Sequence, residues 1–573
     1  MGATLAAFFV GKHLTPTREI ERDTPPLGTA FREQPALFFI LFGIFGVMAS
    51  GALVAFAAAP SNWDSLTYHL ARVGYYLQQG SLDDFGANFF AQEQQARGAS
   101  ILQCALITIS GKSDRLVGLP QLAAYVLCLC EVYVLARWCG RSQAASLAAA
   151  GVFGSLTIVA MEAPTPQNDL LLASFLGAGV VGTLLYLAEP RPKSLFLAAG
   201  GYSLALAIKA SALTCGLGLA VIVVAAARIT VPSRRDAVRR TCILILSTLL
   251  LSALLAWPAG YWKNWLRHGN PLGGPEMIEI HMKTGDAASR WHTGLLNVVR
   301  FGADFATCDG LPESWLGEPG SSAKARVGAW LKQMSFDPEA PTSVRSPFSW
   351  SRPRLADENV AYFGLLGPAI LFPGCLAAWS LRKREPLTFG FALAFAFFFV
   401  GQAFAGPYDP WRGRLFLYGA IFAAPAAAWV FDSPRHLLRR AAWWTTAAGA
   451  LAVLPALAWR SPNPLISRPG APSVLNLDRL QQMSLHHPSH PALVAFDQIV
   501  PRNAILVVAL PGNEYEYPLF GDKFGRQLIP QRRAREQPEL AGTESYLLYD
   551  SRLMAAKPTD IPLGYFWAVR PPE

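Results

Sequence analysis

A succession of apolar runs, each about 20 residues long, constrains this chain most. A bilayer's hydrocarbon core is about 30 Å thick, and a helix of about 20 residues crosses it. Runs of that length fall at 36–58, 116–136, 144–162, 169–188, 241–260, 361–381, 387–405, 413–431 and 441–458. The stretch 194–227 is too long for one crossing and too apolar for a loop. Split near Lys209-Ala210-Ser211, it supplies two short spans. With 52% apolar and only 15% charged residues in 573, the chain reads as a polytopic membrane protein rather than a soluble one.

Charge placement supports the split. Arg228, Arg234, Arg235, Arg239 and Arg240 form one basic loop, and other loops hold Arg137/Arg141, Arg191/Lys193, Arg382/Lys383/Arg384 and Arg435/Arg439/Arg440. With two spans in 194–227, all of these basic loops fall on one side. The positive-inside rule then gives eleven spans, a cytoplasmic N-terminus and an outer C-terminus. Clustering in short loops also explains the net charge of +10 without nucleic acid. Residues 1–11 are apolar but short, with no clear cleavage site after them, and do not read as a signal peptide. The eight cysteines show no disulfide framework and no zinc spacing.

The expected organisation is an N-terminal cytoplasmic segment (1–35), a transmembrane domain (36–459) and an outer α/β domain (460–573). Two outer loops, 59–115 and 261–360, interrupt the transmembrane domain. In the first, Leu66, Leu70, Val73 and Leu77 recur at helical spacing and predict an amphipathic helix lying at the interface. In the tail, Ala504–Leu510, Tyr546–Tyr549 and Tyr565–Val569 read as strands after a helix near 475–499.

Asp64, just past the first apolar run, is the leading candidate for chemistry. A carboxylate at a span mouth is costly unless water or a partner reaches it. An N-cap role accounts for it equally well, and the two readings are compatible, because a helix N-terminus favours the ionised carboxylate that a general base requires. His69 and Arg72 lie one and two turns further on. Asp83-Asp84 can bind a cation or sugar hydroxyls, although a solvated turn is the commoner use of such a pair. Arg412 and Arg414 sit at the outer end of a span, against the charge rule, and the guanidinium fork suits a lipid phosphate. A snorkelling anchor pair beside Trp411 is the bland alternative. Lys209 is the only charge between Lys193 and Arg228. Lys263, Arg267 and His268 form a further basic set, and Asp357-Glu358 enter a span from outside. Asn168-Asp169 read as an ordinary helix cap. The unusual polar groups at span ends (Asp64, Lys209, Arg412, Arg414, Asp357) are all expected on the outer face.

Several segments, taken in order, resemble bacterial integral-membrane glycosyltransferases of the GT-C fold, relatives of the protein mannosyltransferases (glycosyltransferase family 39) and of the aminoarabinose transferase. They are Asn62-Trp63-Asp64-Ser65-Leu66-Thr67-Tyr68-His69-Leu70, Ala87–Gln92, Gln167-Asn168-Asp169, Arg267–Gly273, Tyr362-Phe363-Gly364, Asp409–Arg414 and Glu516–Gly521. Together they cover nearly the whole chain. The resemblance implies an all-α polytopic fold of about eleven spans with a small α/β outer domain, in a bacterial inner membrane. It implies a polyprenyl-phosphate sugar as donor and a glycolipid, glycan or protein as acceptor. It also implies a general base in the first outer loop, which Asp64 matches, and a second acidic motif, which Asp83-Asp84 match loosely. Arg412, Arg414 and Lys209 are then the phosphate-binding set, with His69, Arg72, Asp357, Glu358 and Arg267 in support. The metal-binding spacing is not evident, so a divalent metal stays open as a cofactor. An O-antigen polymerase or ligase, relying on the arginines, and a lipid or solute transporter are the alternative readings.

Overall fold

The computed structural model describes residues 27–281, 287–312, 321–461, 464–531 and 544–572. The apolar residues 1–11, and most of the expected segment 1–35, lie outside the described residues.

The transmembrane part is a bundle of helices. Where water is absent, every backbone N–H and C=O must be satisfied within the segment, and apolar runs of this length can do so only as helices. Eight helices among the described residues have the length and composition to cross a membrane. They are Ala36–Ala57, Leu119–Trp138, Asp169–Ala188, Ala210–Thr230, Arg234–Ala259, Pro386–Ala405, Pro410–Asp432 and His436–Ala458. Where the other three spans were expected, the described residues hold shorter apolar helices: Gln143–Gly154, followed by Thr157–Glu162; Pro192–Ile208; and Gly367–Leu381. The stretch 194–227 does break at Lys209, whose backbone is extended (φ −159°, ψ 131°) between Pro192–Ile208 and a 3₁₀ turn, Ala210–Cys215. Asp169–Ala188 and Pro192–Ile208 form a tight hairpin, in which a side chain at Gly182 would collide with the backbone of Ala198.

The C-terminal part of the chain carries a five-stranded mixed sheet. Its strands are β1 (Ile505–Ala509), β2 (Gln527–Pro530), β3 (Tyr546–Asp550), β4 (Ile561–Gly564) and β5 (Trp567–Arg570), in the order β2-β1-β3-β5-β4. β1 runs parallel to β2 and β3, while β5 is antiparallel to β3 and β4. The three strands legible in the sequence are the central ones. The two that were not, β2 and β4, are four-residue edge strands containing proline, which leaves little periodic signal. The helix expected near 475–499 is two helices, Arg479–Ser484 and His490–Ile499.

The loop 59–115 departs from expectation in one respect. Its amphipathic stretch begins as a π-helical turn, Ser65–His69, and continues as an α-helix, Leu70–Gln79. It does not lie free at the interface. Leu66, Leu70, Val73 and Tyr75 are buried in one core with Phe496, Leu506, Leu519 and Phe520 of the outer domain. The apolar face that suggested a membrane surface is covered by protein instead. Polar contacts fix the docking. The Gln78 amide both donates to and accepts from the backbone of Leu528 (2.7 and 2.8 Å), occupying the free edge of β2. Glu516 accepts from Tyr75 and Gln92, both at 3.0 Å, and Tyr517 donates to Asp114 at 3.0 Å. The Glu516–Gly521 motif is thus the clamp that holds the C-terminal domain over the loop.

Candidate active site

Asp64 immediately precedes the π-helical turn, yet its side chain does not cap it. Asn62 does that work, accepting from the backbone N–H of Ser65 at 3.0 Å. Asp64 is therefore free to face inward. It accepts a hydrogen bond from the Tyr68 hydroxyl (2.8 Å) and forms an ion pair with Arg414. Both partners of that pair keep a little solvent access, 17% for Asp64 and 15% for Arg414. Burial alone would raise the Asp64 carboxyl. The Arg414 guanidinium, with the Tyr68 hydroxyl and Lys209, outweighs burial and holds it down to about 2.

Arg414 is the centre of a wider network. Gln167, its amide oriented to donate to Glu162 (2.8 Å), accepts from Asn62 (2.6 Å) and from Arg414 (3.2 Å). Glu162 and Asp169 both lie within electrostatic reach of Arg414. Lys209 donates to Asp169 at 2.7 Å. The break at Lys209 is what makes this possible, because the extended residue turns its side chain towards the mouth of the neighbouring span. By sequence alone Asp169 is a simple cap, and Glu162 does not stand out. The signal for Glu162 was a lone acid closing an apolar run just before Pro164-Thr165-Pro166. Three carboxylates and two cations thus converge where the loop after the first long helix meets four helix ends.

Arg412 does not join Arg414. The two lie on a 3₁₀ helix, Pro410–Gly419, whose start Asp409 caps by accepting from Trp411 N–H at 3.1 Å. At three residues per turn, positions two apart point in directions roughly 120° different. Arg412 faces the carbonyls of Gln402 and His281, each at 3.5 Å, and lies within electrostatic reach of Asp409. The expected pair of arginines is one arginine at the site and one beside it.

The remaining candidates are placed as follows. His69 is buried, packs at a tilt against the Tyr68 ring (centroids 4.2 Å apart), and is held neutral by burial and the nearby Arg72. Arg72 is fully buried and donates to the carbonyls of Gln95 and Ala96, which makes it a brace for the loop. Asp83 and Asp84 are engaged by cations: Asp84 by Arg97 and Arg267, each at 2.6 Å, and Asp83 by Lys263 at 3.0 Å. Arg267 also reaches Glu93 at 3.3 Å. This cluster ties the first outer loop to the second, and a metal-binding role for the acidic pair gains nothing from it. Among the described residues, no three His, Cys, Asp or Glu side chains are grouped to hold a metal. Glu358 is paired with Arg460, both almost fully buried, and burial together with Glu358 pushes the Asp357 carboxyl up to about 7. Tyr515 of the C-terminal domain senses Glu358, Asp357 and Asp64 electrostatically, so all three border one region.

No protein-family model matches the chain, and no curated protein matches its sequence. Solved structures do match in fold. ArnT from Cupriavidus metallidurans bound to undecaprenyl phosphate aligns over 93% of this chain and 96% of its own, with a TM-score of 0.50 at 11% identity. The apo state of the same protein aligns over 92% and 96%, with a TM-score of 0.52 at 11% identity. At this identity the likeness is one of architecture, and it extends over almost the full length of both chains. The chain therefore has the GT-C fold: a polytopic helical membrane domain with a small sheet-containing domain at its C-terminal end.

Proposed function

We propose that this protein is a glycosyltransferase that moves a sugar from a polyprenyl-phosphate donor to an acceptor hydroxyl at the outer face of the membrane. The reading rests above all on the contact between Asp64 and Arg414, a carboxylate base and a phosphate-seeking cation held together at a wet span mouth. The shared fold with ArnT, one structure of which has undecaprenyl phosphate bound, supports the donor class. Basic loops at the opposite span ends support a bacterial inner-membrane topology with a cytoplasmic N-terminus and an outer C-terminal domain.

The reaction proposed is inverting. The acceptor oxygen attacks the anomeric carbon as its proton passes to Asp64. The bond from that carbon to the phosphate oxygen breaks, and polyprenyl phosphate leaves with the electron pair. Arg414 and Lys209 stabilise the charge that develops on the phosphate. A lipid phosphate is a fair leaving group, so no strong general acid is required. As it stands, Arg414 holds Asp64 at a weak basicity. A donor phosphate that draws Arg414 towards itself would free the carboxylate and raise its proton affinity, so the base becomes competent when the donor is seated.

Sugar transfer from synthetic polyprenyl-phosphate sugars, by purified protein to lipids of its own membrane, tests the reading. Transfer by the wild type that is lost in Asp64→Asn is the expected result. Equal transfer by both would move the chemistry to the arginines, as in a polymerase or ligase. No transfer from any donor would overturn the enzymatic reading.

A further inference from the structure

We propose that the arginine-rich end of the bundle binds an anionic phospholipid, in a groove between helices Ala210–Thr230 and Pro386–Ala405. The groove has a volume of about 630 Å³. Leu217 and Val224 line it from one helix, and Phe389 and Phe397 from the other. Leu217, Val224 and Phe397 are exposed, so the groove opens to whatever surrounds the bundle. Its floor is closed where Gly390 packs against Ala225. From Leu217 to Arg228, and from Pro386 to Phe397, each wall spans eleven residue steps. At 1.5 Å per residue each is roughly 16 Å long, about half the hydrocarbon core. The groove thus matches the acyl chains of one leaflet.

Three cations, Arg228, Arg382 and Lys383, stand at one end of it. Glu385, the nearest acid in sequence, is turned away to Arg141 and Thr388. Among the described residues, none of the three cations pairs with a carboxylate. An apolar slot one leaflet long, closed by three uncompensated positive charges at headgroup level, is complementary to a lipid with a phosphate headgroup. Arg228 lies 19 residues beyond Lys209 along the same helical segment, roughly 30 Å away. The site is therefore a membrane's thickness from Asp64 and distinct from the proposed donor site.

Native mass spectrometry of the full-length protein in detergent tests the proposal. The probes are phosphatidylglycerol and phosphatidylcholine with identical acyl chains. The wild type is expected to retain phosphatidylglycerol with about tenfold preference, as the loss of several surface cations would predict in reverse. R228Q/R382Q/K383Q should lose that preference. Val224→Trp, which fills the slot and leaves every charge in place, should retain less of the lipid. Both variants lie on the outer surface of the bundle, and unchanged thermal unfolding verifies that they fold. Equal retention of the two lipids by the wild type overturns the proposal, as does undiminished phosphatidylglycerol binding in both variants. Displacement of phosphatidylglycerol by a lower concentration of decaprenyl phosphate would also overturn it, because the groove would then belong to the carrier lipid. None of these readouts depends on transferase activity.

Discussion

Arg414 meets Asp64 across 350 positions of sequence, joining the start of a late span to the mouth of the first. Neither residue is in an ordinary place for its charge. Each offsets the other's burial, and a bound phosphate would compete with Asp64 for the same guanidinium.

Replacing Asp64 by Asn keeps the shape of the side chain and removes the base. Sugar transfer should fall by about 10²–10⁴-fold, with normal expression and an unchanged elution volume. A loss of less than tenfold in a donor-saturated assay would remove Asp64 from the role of base.

Replacing Arg414 by Gln leaves Asp64 to its burial. The carboxyl, now at about 2, should titrate at higher pH, and the acid limb of the rate profile should rise with it. The same shift bears on stability. A depressed folded-state pKa contributes stability that is present above the unfolded value of about 3.8 and is lost as pH falls towards 2. Thermal unfolding from pH 2 to pH 5 should show that loss in the wild type and a smaller one in Arg414→Gln. Identical profiles would mean that Arg414 does not set the ionisation of Asp64.

Asp357 carries the opposite sign. Its folded-state pKa is raised from about 3.8 to about 7, so the folded protein holds a proton that the unfolded chain releases earlier. The associated stability is fully present below 3.8 and declines as pH rises through 7. The unfolding midpoint should drop between about pH 4 and pH 7, and Asp357→Asn should flatten that part of the curve. A decline of the same size in the variant would place its origin elsewhere.

Arg460→Met strands Glu358 as a buried, unpaired carboxylate, and should cost about 3–5 kcal/mol in unfolding free energy. The double change with Glu358→Leu should restore a large part of that loss. Additive losses in the double-mutant cycle would show that the two side chains are not coupled.

Asp83 and Asp84 are neighbours with different consequences. Asp84 is 14% exposed and holds both Arg97, which is buried, and Arg267, whereas Asp83 is 77% exposed. Asp84→Asn should lower the unfolding temperature and loosen the second outer loop, read as faster proteolysis within 261–281. Asp83→Asn should change neither. Equal effects from the two variants would contradict a structural tie centred on Asp84.

The sequence by itself located the long apolar helices, their breakpoint at Lys209 and the central strands of the C-terminal sheet, and it singled out Asp64 as the candidate for chemistry. These follow from local causes: the length of an apolar run against the thickness of a bilayer, the alternation of a strand, and the cost of a charge at a span mouth. The tertiary structure decided the rest. It chose Arg414 over Arg412, because the turn at Pro410 is a 3₁₀ helix and sends the two guanidinium groups different ways. It brought Glu162 and Asp169 beside Lys209, drew Asp83 and Asp84 into ion pairs with Lys263, Arg97 and Arg267, and covered the helix over Leu66–Leu77 with the outer domain. A side chain's partner depends on where distant segments pack, and amphipathic periodicity does not distinguish a face covered by lipid from one covered by protein.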